Sequence, residues 1–369
     1  MNRFTTSPIN PWLRPLSWLY GLAVAVRNAW FDRGWLPERS YPVASIGVGN
    51  LAVGGTGKTP HVEWLIRLLQ NDYRVAVLSR GYKRKSRGTV EASPSCTAEL
   101  LGDEPYQMYT KFPQVRFVVD EKRSRGMDYL LHGSEVPPQV VLLDDAFQHR
   151  YVKPGLQLLL TDYHRLFSDD VLLPAGRLRE SVRGKERAQA VIVTKCPRNL
   201  KPIDFNIIGK KLDLFPCQRL FFSTLRYGSL RPLFPTEGRS GERSLLSLRK
   251  TPVVVLTGIA SPRGMYEQLK RVASEVRLLA FADHHTFEEA DFRRLTDLLD
   301  QMEASTIVVT TEKDGARLVH HAALPDALKE RLYVLPVEIE FLQNKHNEFI
   351  HYIKEYVGEN QRDRSVSTN

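Results

Sequence analysis

Cysteine is scarce in this 369-residue chain: there are three, Cys96, Cys196 and Cys217, widely spaced and without a CxxC pair. That excludes a disulfide framework and a structural zinc site built on cysteine, and a reducing compartment is the natural setting. A membrane-spanning run is also missing. The apolar N-terminal stretch Leu16 to Val26 (LSWLYGLAVAV) is well short of the roughly 20 residues a spanning helix needs. Acidic residues are in deficit, 42 Asp+Glu against 52 Lys+Arg, which leaves a net charge of +10. The excess points to anionic partners: nucleic acid, anionic lipid or a phosphorylated substrate. Helix-turn-helix and zinc-finger patterns are absent, so nucleic acid is not expected among them.

What is present describes a folded chain. Hydrophobic residues make up 42% and charged residues 25%, with a mean hydropathy of −0.31, unlike a disordered or polytopic membrane protein. The length allows two or three domains. In the N-terminal segment the apolar run is flanked by Arg14, Arg27 and Arg33 and interspersed with Trp12, Trp18, Trp30 and Trp35. Such a helix suits a membrane interface. A packed core helix is the plainer alternative, and a signal peptide, suggested by Ala23-Val24-Ala25, the remoter one.

From residue 42 short apolar runs alternate with amphipathic ones, the pattern of βαβ units and a mostly parallel α/β sheet. Strands are expected at Val43–Gly49, Val75–Ser79, Val115–Val119, Val140–Asp144, Leu156–Thr161 and Ala190–Thr194, with a helix at Lys58–Gln70. A second alternation follows the Gly/Ser/Arg-rich stretch from residue 237 to 244. Its strands are expected at Val253–Thr257, Val276–Phe281 and Thr306–Thr310, and its helices from Pro262, at Phe287–Met302 and from Gln343. This divides the chain into an N-terminal membrane-associating helix (1–40), a P-loop core (41–235) and a smaller α/β domain (236–369). Leu220–Arg226 and Leu332–Phe341 are expected to pair as the strands joining the halves, which makes them a hinge candidate. The polar tail from Glu359 is expected to be disordered.

The strongest chemical signal is Gly54-Gly55-Thr56-Gly57-Lys58-Thr59 between a predicted strand and a predicted helix. Backbone N–H groups and the helix N-terminus there cradle polyphosphate, Lys58 reaches the β/γ-phosphates and the Thr59 hydroxyl reaches Mg²⁺. Ala52 stands where the usual pattern begins with Gly. The apolar run ending in Asp144-Asp145 places two acids at a strand's C-terminal end, where such enzymes hold Mg²⁺. A pair of turn residues is the alternative. These features leave open a kinase, a membrane-associated P-loop GTPase or ATPase, and a nucleotide-regulated membrane-binding module. An NKxD-type guanine element is not evident.

In order along the chain come GVGNLAVGGTGKTP (from Gly47), SRGY (Ser79), GDEP (Gly102), DDAFQHR (Asp144), LLPAGRLRE (Leu172), VTK (Val193), DHHTF (Asp283) and TEKD (Thr311). Together they resemble the tetraacyldisaccharide 4′-kinases of lipid A biosynthesis, from the N-terminal helix to about residue 340. The resemblance implies transfer of the ATP γ-phosphate to the 4′-hydroxyl of a tetraacyldisaccharide 1-phosphate, giving lipid IVA. It implies a peripheral enzyme on the cytoplasmic face of the bacterial inner membrane, with ATP and Mg²⁺ as cofactors, and a monomer is expected. Ala146 replaces a common Gly, and Arg177 and Ser181 replace common prolines, which bears on the acceptor loops.

By that resemblance Asp103 in GDEP is the catalytic base and His284 its dyad partner. Read as residues alone, Asp103-Glu104-Pro105 also fits a helix N-terminus, and His284-His285 fits a metal-ligand pair that lacks a third ligand. Arg179 is a candidate for pairing with phosphate on the nucleotide or on the acceptor. The Lys83-Arg84-Lys85 run with Arg87 suits a phosphate or, equally, a solvated loop.

Overall fold

The computed structural model describes residues 9–133, 135–236, 241–283 and 285–367; His284 and the first half of the stretch expected to open the second domain, 237–240, lie outside them. In chain order the strands are β1 (Ala44–Asn50), β2 (Val75–Ser79), β3 (Val90–Glu91), β4 (Arg116–Val119), β5 (Val140–Asp144), β6 (Leu156–Asp162) and β7 (Ala190–Thr194). They continue with β8 (Arg219–Tyr227), β9 (Arg231–Pro232), β10 (Val253–Thr257), β11 (Val276–Ala280), β12 (Ile307–Thr311), β13 (Leu332–Leu335) and β14 (Val337–Phe341). The helices are α1 (Arg14–Asp32), α2 (Lys58–Leu69), α3 (Ala98–Leu101), α4 (Asp103–Lys111), α5 (Arg123–His132), α6 (Pro202–Leu212), α7 (Arg263–Lys270), α8 (Glu289–Asp300), α9 (Glu312–Leu318), α10 (Asp326–Lys329) and α11 (His346–Ser367).

The described chain forms two compact units, residues 226–338 and residues 9–225 with 339–367. The larger unit holds a nine-stranded sheet in the order β14-β8-β7-β6-β1-β5-β2-β4-β3. Its central strands are parallel and buried on both faces, which is why they read as unbroken apolar runs and not as alternation. Helix α2 lays Val62, Leu65, Ile66 and Leu69 against β1 and its neighbours, one face of a 3.6-residue period. The chain order reverses at β1, between β5 and β6, so the carboxyl ends of β1 and β5 open onto the crevice where such sheets bind ligands.

The smaller unit is a five-stranded sheet, β11-β10-β12-β13-β9, with β9 antiparallel at its edge. Thr311 caps α9, and the buried Asp314 carboxylate accepts hydrogen bonds from the Thr257 and Thr311 hydroxyls, Gly258 N–H and Arg317. The TEKD motif thus ties two strand ends together. His285 stacks on Phe281 and bonds Asp291 at 2.6 Å, and no cluster of metal-ligating side chains occurs among the described residues.

Three expectations are corrected. The second domain does not run from 236 to 369: α11 returns to the larger unit, burying Phe349, Ile353 and Val357 in its core. The Tyr356 hydroxyl both accepts from Ser45 N–H and donates to Ser45 O, at 3.1 Å each. A helix's period shows that one face needs burial, not which sheet buries it. The segment Leu332–Phe341 meets its expected partner Leu220–Arg226 where β14 lies beside β8, and the chain passes between the units in both segments, but it is two strands in different sheets, divided at Pro336, whose ring nitrogen has no hydrogen to donate. The tail from Glu359 continues α11 to Ser367; no Gly or Pro after Gly358 breaks the helix.

Helix α1 is docked on the larger unit with Ser17 and Phe31 buried, so residues 1–40 are not a free-standing element. Its outer face carries Leu16, Trp18 (74% exposed), Leu19, Leu22 and Trp30, and Trp12 (90%) stands in the short 3-10 turn just before it. No helix among the described residues is long and apolar enough to cross a membrane.

Candidate active site

The loop between β1 and α2 turns through Gly54 (φ 107°) and Gly57 (φ 85°), left-handed conformations that favour glycine. Gly57 is the N-cap of α2, so Lys58 and Thr59 open the helix with unpaired N–H groups at its electropositive end. The loop is held from below. Asn50 donates to the Thr56 hydroxyl at 2.8 Å, the Thr194 hydroxyl to Thr56 O at 2.9 Å, and Lys195 to Gly55 O while pairing with Asp162 at 2.7 Å. His61, pushed down to about 4 by burial, is neutral; its Nδ1–H donates to Gly57 O at 2.7 Å, leaving Nε2 to accept from Ser223.

Ala52 has a structural reason. Residues 51–53 pair antiparallel with 177–179: Val53 N–H donates to Arg177 O and Arg179 N–H to Leu51 O, both at 2.7 Å. The start of the loop is therefore a short ribbon, where a β-carbon is accommodated. The same ribbon delivers Arg179, whose guanidinium meets both Asp145 oxygens at 2.9 and 3.2 Å and also donates to Asn50.

Asp144 and Asp145 follow directly on the carboxyl end of β5, beside the loop, in different states. Asp145 sits at φ 46°, with Lys58 Nζ 3.7 Å from it. Burial opposes its ionisation, but Lys58 and Arg179 outweigh that and hold it well below the usual carboxylate range. Asp144 is fully buried; burial first, then the carboxylates of Glu104 and Asp145, push it up to about 6. Ser79 donates to its Oδ2 at 2.9 Å, while its Oδ1 is buried with no hydrogen-bond partner.

That orphaned oxygen beside a second carboxylate is a fit for Mg²⁺, which takes one or two protein carboxylates and completes its shell with phosphates and water. It also sets a pH dependence. The folded protein retains a proton that unfolded Asp144 releases near 3.8, so ionising this group destabilises the fold above about 6, and the penalty fades as pH falls toward 4. Metal-free protein is expected to lose thermal stability relative to Asp144→Asn as pH rises through 6, by calorimetry. Added Mg²⁺ should restore it at about pH 7.5 and do little at about pH 5.

Asp103 is the first residue of α4, half-buried, with Gly102 as N-cap. The turn preceding it packs backbone to backbone on the SRGY turn: a β-carbon on Gly102 (φ 92°) would come within 3.1 Å of Gly81 and Tyr82 backbone, and one on Gly81 within 2.7 Å of Leu101 O. Since Ser79 at the end of β2 touches Asp144, these turns bring the GDEP and DDAFQHR motifs to one edge of the sheet. In the basic run, Arg84 is not solvated. Its side chain is 3% exposed, pairs with Glu121 and bonds Val119 O, while Lys83 and Arg87 are exposed. Arg177 is held by Asp170.

Sequence reasoning missed Asn50, Ser79, Glu104, Lys195 and Arg123. Arg123 is wholly buried, pushed down to about 10 and still a cation, and its guanidinium bonds the backbone oxygens of Asp120 and Asp144. In sequence it belongs to the charged stretch EKRSR, which reads as surface; only folding puts it beneath the two acids.

A parallel sheet whose central strand feeds a glycine-rich phosphate loop, faced by an acidic strand end and an arginine, defines a P-loop phosphotransferase. The profile of the family described as tetraacyldisaccharide-1-P 4′-kinase (LpxK) matches residues 9–357, and the chain belongs to that family. Its activity is ATP-dependent phosphoryl transfer to the 4′ position of a tetraacyldisaccharide 1-phosphate, in lipid A biosynthesis. It is 54% identical to the tetraacyldisaccharide 4′-kinase of Bacteroides thetaiotaomicron over 97% of this chain and 96% of that one. It is 44% identical to that of Porphyromonas gingivalis over 93% and 96%. The crystal structure of LpxK from Aquifex aeolicus in complex with ATP superposes with a TM-score of 0.69 at 30% identity, covering 92% of this chain and 97% of that one.

Proposed function

We propose that the family's reaction runs here through Lys58, Thr59, Asp103, Asp144, Asp145 and Arg179, in a monomer whose helix α1 rests on the cytoplasmic surface of the inner membrane. The observation that carries this is the arrangement around Asp145: Lys58 at 3.7 Å and Arg179 at 2.9 Å, at the mouth of the phosphate loop, with an unpartnered Asp144 oxygen beside it.

The amides of residues 54–59 and the N-terminus of α2 bind the β- and γ-phosphates of ATP. Thr59, Asp144 and Asp145 would hold Mg²⁺, which would offset charge on the phosphate oxygens. Lys58 and Arg179, both paired with Asp145, bring positive charge to the transferring group. Asp103 accepts the proton of the 4′-hydroxyl; that oxygen bonds to the γ-phosphorus as the bond to the β-phosphate oxygen breaks, releasing ADP and lipid IVA. His284 is the partner the family resemblance implies for Asp103. The fixed carboxylates, cations and loop amides hold reacting groups in line, where most of the rate enhancement of phosphoryl transfer originates.

For the membrane, α1 offers an apolar, Trp-rich outer face edged by Arg14 and Arg33. This is a helix that lies in the interface of an anionic bilayer, where a four-chain lipid acceptor resides. The exposed Lys83, Arg87 and Arg183 suit the acceptor's 1-phosphate. The test uses Mg-ATP labelled at the γ-phosphate with detergent-dispersed tetraacyldisaccharide 1-phosphate. Label is expected in the lipid, and to vanish without Mg²⁺. Hydrolysis that is indifferent to the lipid, with no label in it, would overturn this reading.

A further inference from the structure

Besides burying Phe31, the face of α1 opposite its exposed Trp18 and Trp30 carries polar side chains. It makes specific polar contacts with the two segments that carry Asp145 and Arg179. The Tyr20 hydroxyl donates to the backbone oxygen of Arg179 at 2.8 Å. Arg27 donates to Gln148 O at 2.9 Å, and Asn28 to Glu180 Oε2 at 3.2 Å. Tyr20, Arg27 and Asn28 follow the i, i+7, i+8 spacing of one helical face.

Glu180 is the junction. It is 2% exposed, and its carboxylate receives Asn28 from α1, Gln148 at 2.9 Å and Arg187 at 2.8 and 2.9 Å. Gln148 also donates to Asn50 O at 2.8 Å, at the head of the phosphate loop. Every partner of this buried charge therefore sits on α1, on the stretch just after Asp145, or on the turn following Arg179. Removing one leaves a buried acceptor short of a donor, and the remaining donors must shift to compensate. The backbone of Arg179, held on one side by Leu51 and on the other by Tyr20, positions the guanidinium that neutralises Asp145.

We infer that α1 is a positioning element for the phosphoryl-transfer site: its seating through Tyr20 and Asn28 sets the placement of Arg179 and Asp145, so that engagement of the outer face by lipid and turnover at the inner face are coupled through one rigid helix. The coupling acts on the rate of transfer and not on nucleotide capture, because the loop amides and Lys58 belong to β1 and α2. This inference rests on the assignment of Arg179 to the reaction.

The experiment compares the full-length protein with Tyr20→Phe, Asn28→Ala and the double variant. Four quantities are read: kcat, KM for ATP, thermal midpoint, and partition onto phosphatidylglycerol/phosphatidylethanolamine vesicles. The double variant is expected to lose about tenfold or more in kcat, the change that accompanies loss of a charge-linked hydrogen bond. KM for ATP and vesicle partition should stay within about twofold. Tyr20→Phe, which removes a single oxygen, keeps the test open if the double variant fails to fold, and should by itself lower kcat severalfold. Unchanged kcat in folded variants, or a loss that follows vesicle partition or thermal midpoint alone, would overturn the coupling. Arg179→Ala separates the two levels: if it turns over like the wild type, the assignment of Arg179 is wrong; if it is inactive while Tyr20→Phe and the double variant are not impaired, only the coupling is wrong.

Discussion

Lys58→Ala is expected to lower kcat/KM for phosphoryl transfer by about three orders of magnitude, the scale on which a preorganised charge at a developing anion acts. Two groups depend on this ammonium. It stands at the first turn of α2, 3.7 Å from Asp145 and 3.4 Å from Asn50 Oδ1. Its removal leaves Arg179 to balance Asp145 without Lys58 and ties that guanidinium more firmly to the carboxylate. The loss should fall mainly on kcat, because the amides of residues 54–59 continue to bind the phosphates. Single-turnover rates with saturating Mg-ATP, together with calorimetric binding of a non-hydrolysable analogue, measure both. Transfer within about tenfold of wild type would remove Lys58 from the reaction.

Asp103→Ala comes second. A positioned general base contributes about two to four orders of magnitude, so lipid phosphorylation should fall by about a thousandfold while ATP binding changes little. The alternative role, an acid in the first turn of α4 favouring the helix N-terminus, is worth only about 0.3–1 kcal/mol. A large loss of transfer with a thermal midpoint near that of wild type therefore marks chemistry. A loss of nucleotide binding marks a structural role instead. Asp103→Asn keeps the shape of the side chain but turns one acceptor oxygen into a donor and removes the basicity, and should be as inactive as alanine.

Much of this architecture was legible because the buried parallel strands leave a strong trace. Val75–Ser79, Val140–Asp144, Ala190–Thr194 and Val253–Thr257 are predicted to the residue, each an apolar run closed by a polar residue or a turn. The phosphate loop was equally plain, since its glycines are demanded by backbone geometry. Less visible were elements whose residues serve distant partners. Helix α5 contains Arg123, a charge that only tertiary structure carries to the underside of Asp144. Arg84 looks like part of a solvated basic run until Glu121 and the Val119 carbonyl are brought to it. The environment that separates Asp144 from Asp145 is likewise non-local: Glu104 and Ser79 act on one, Lys58 and Arg179 on the other. No sequence period encodes that division.

The return of α11 to the larger unit bears on how the protein is made. β1 is among the first strands to leave the ribosome, yet its Ser45 waits for Tyr356, 311 residues later, and the same sheet face waits for Phe349, Ile353 and Val357. At a synthesis rate of about 5–20 residues per second, the part of that face that α2 does not cover waits tens of seconds for α11, while residues 226–338 have everything they need to close on their own sheet. The unit begun first is finished last. Its nascent sheet is the stretch for which a holding chaperone matters most, and a stop codon shortly before residue 349 would release a chain with its nucleotide motifs complete and its core unsealed.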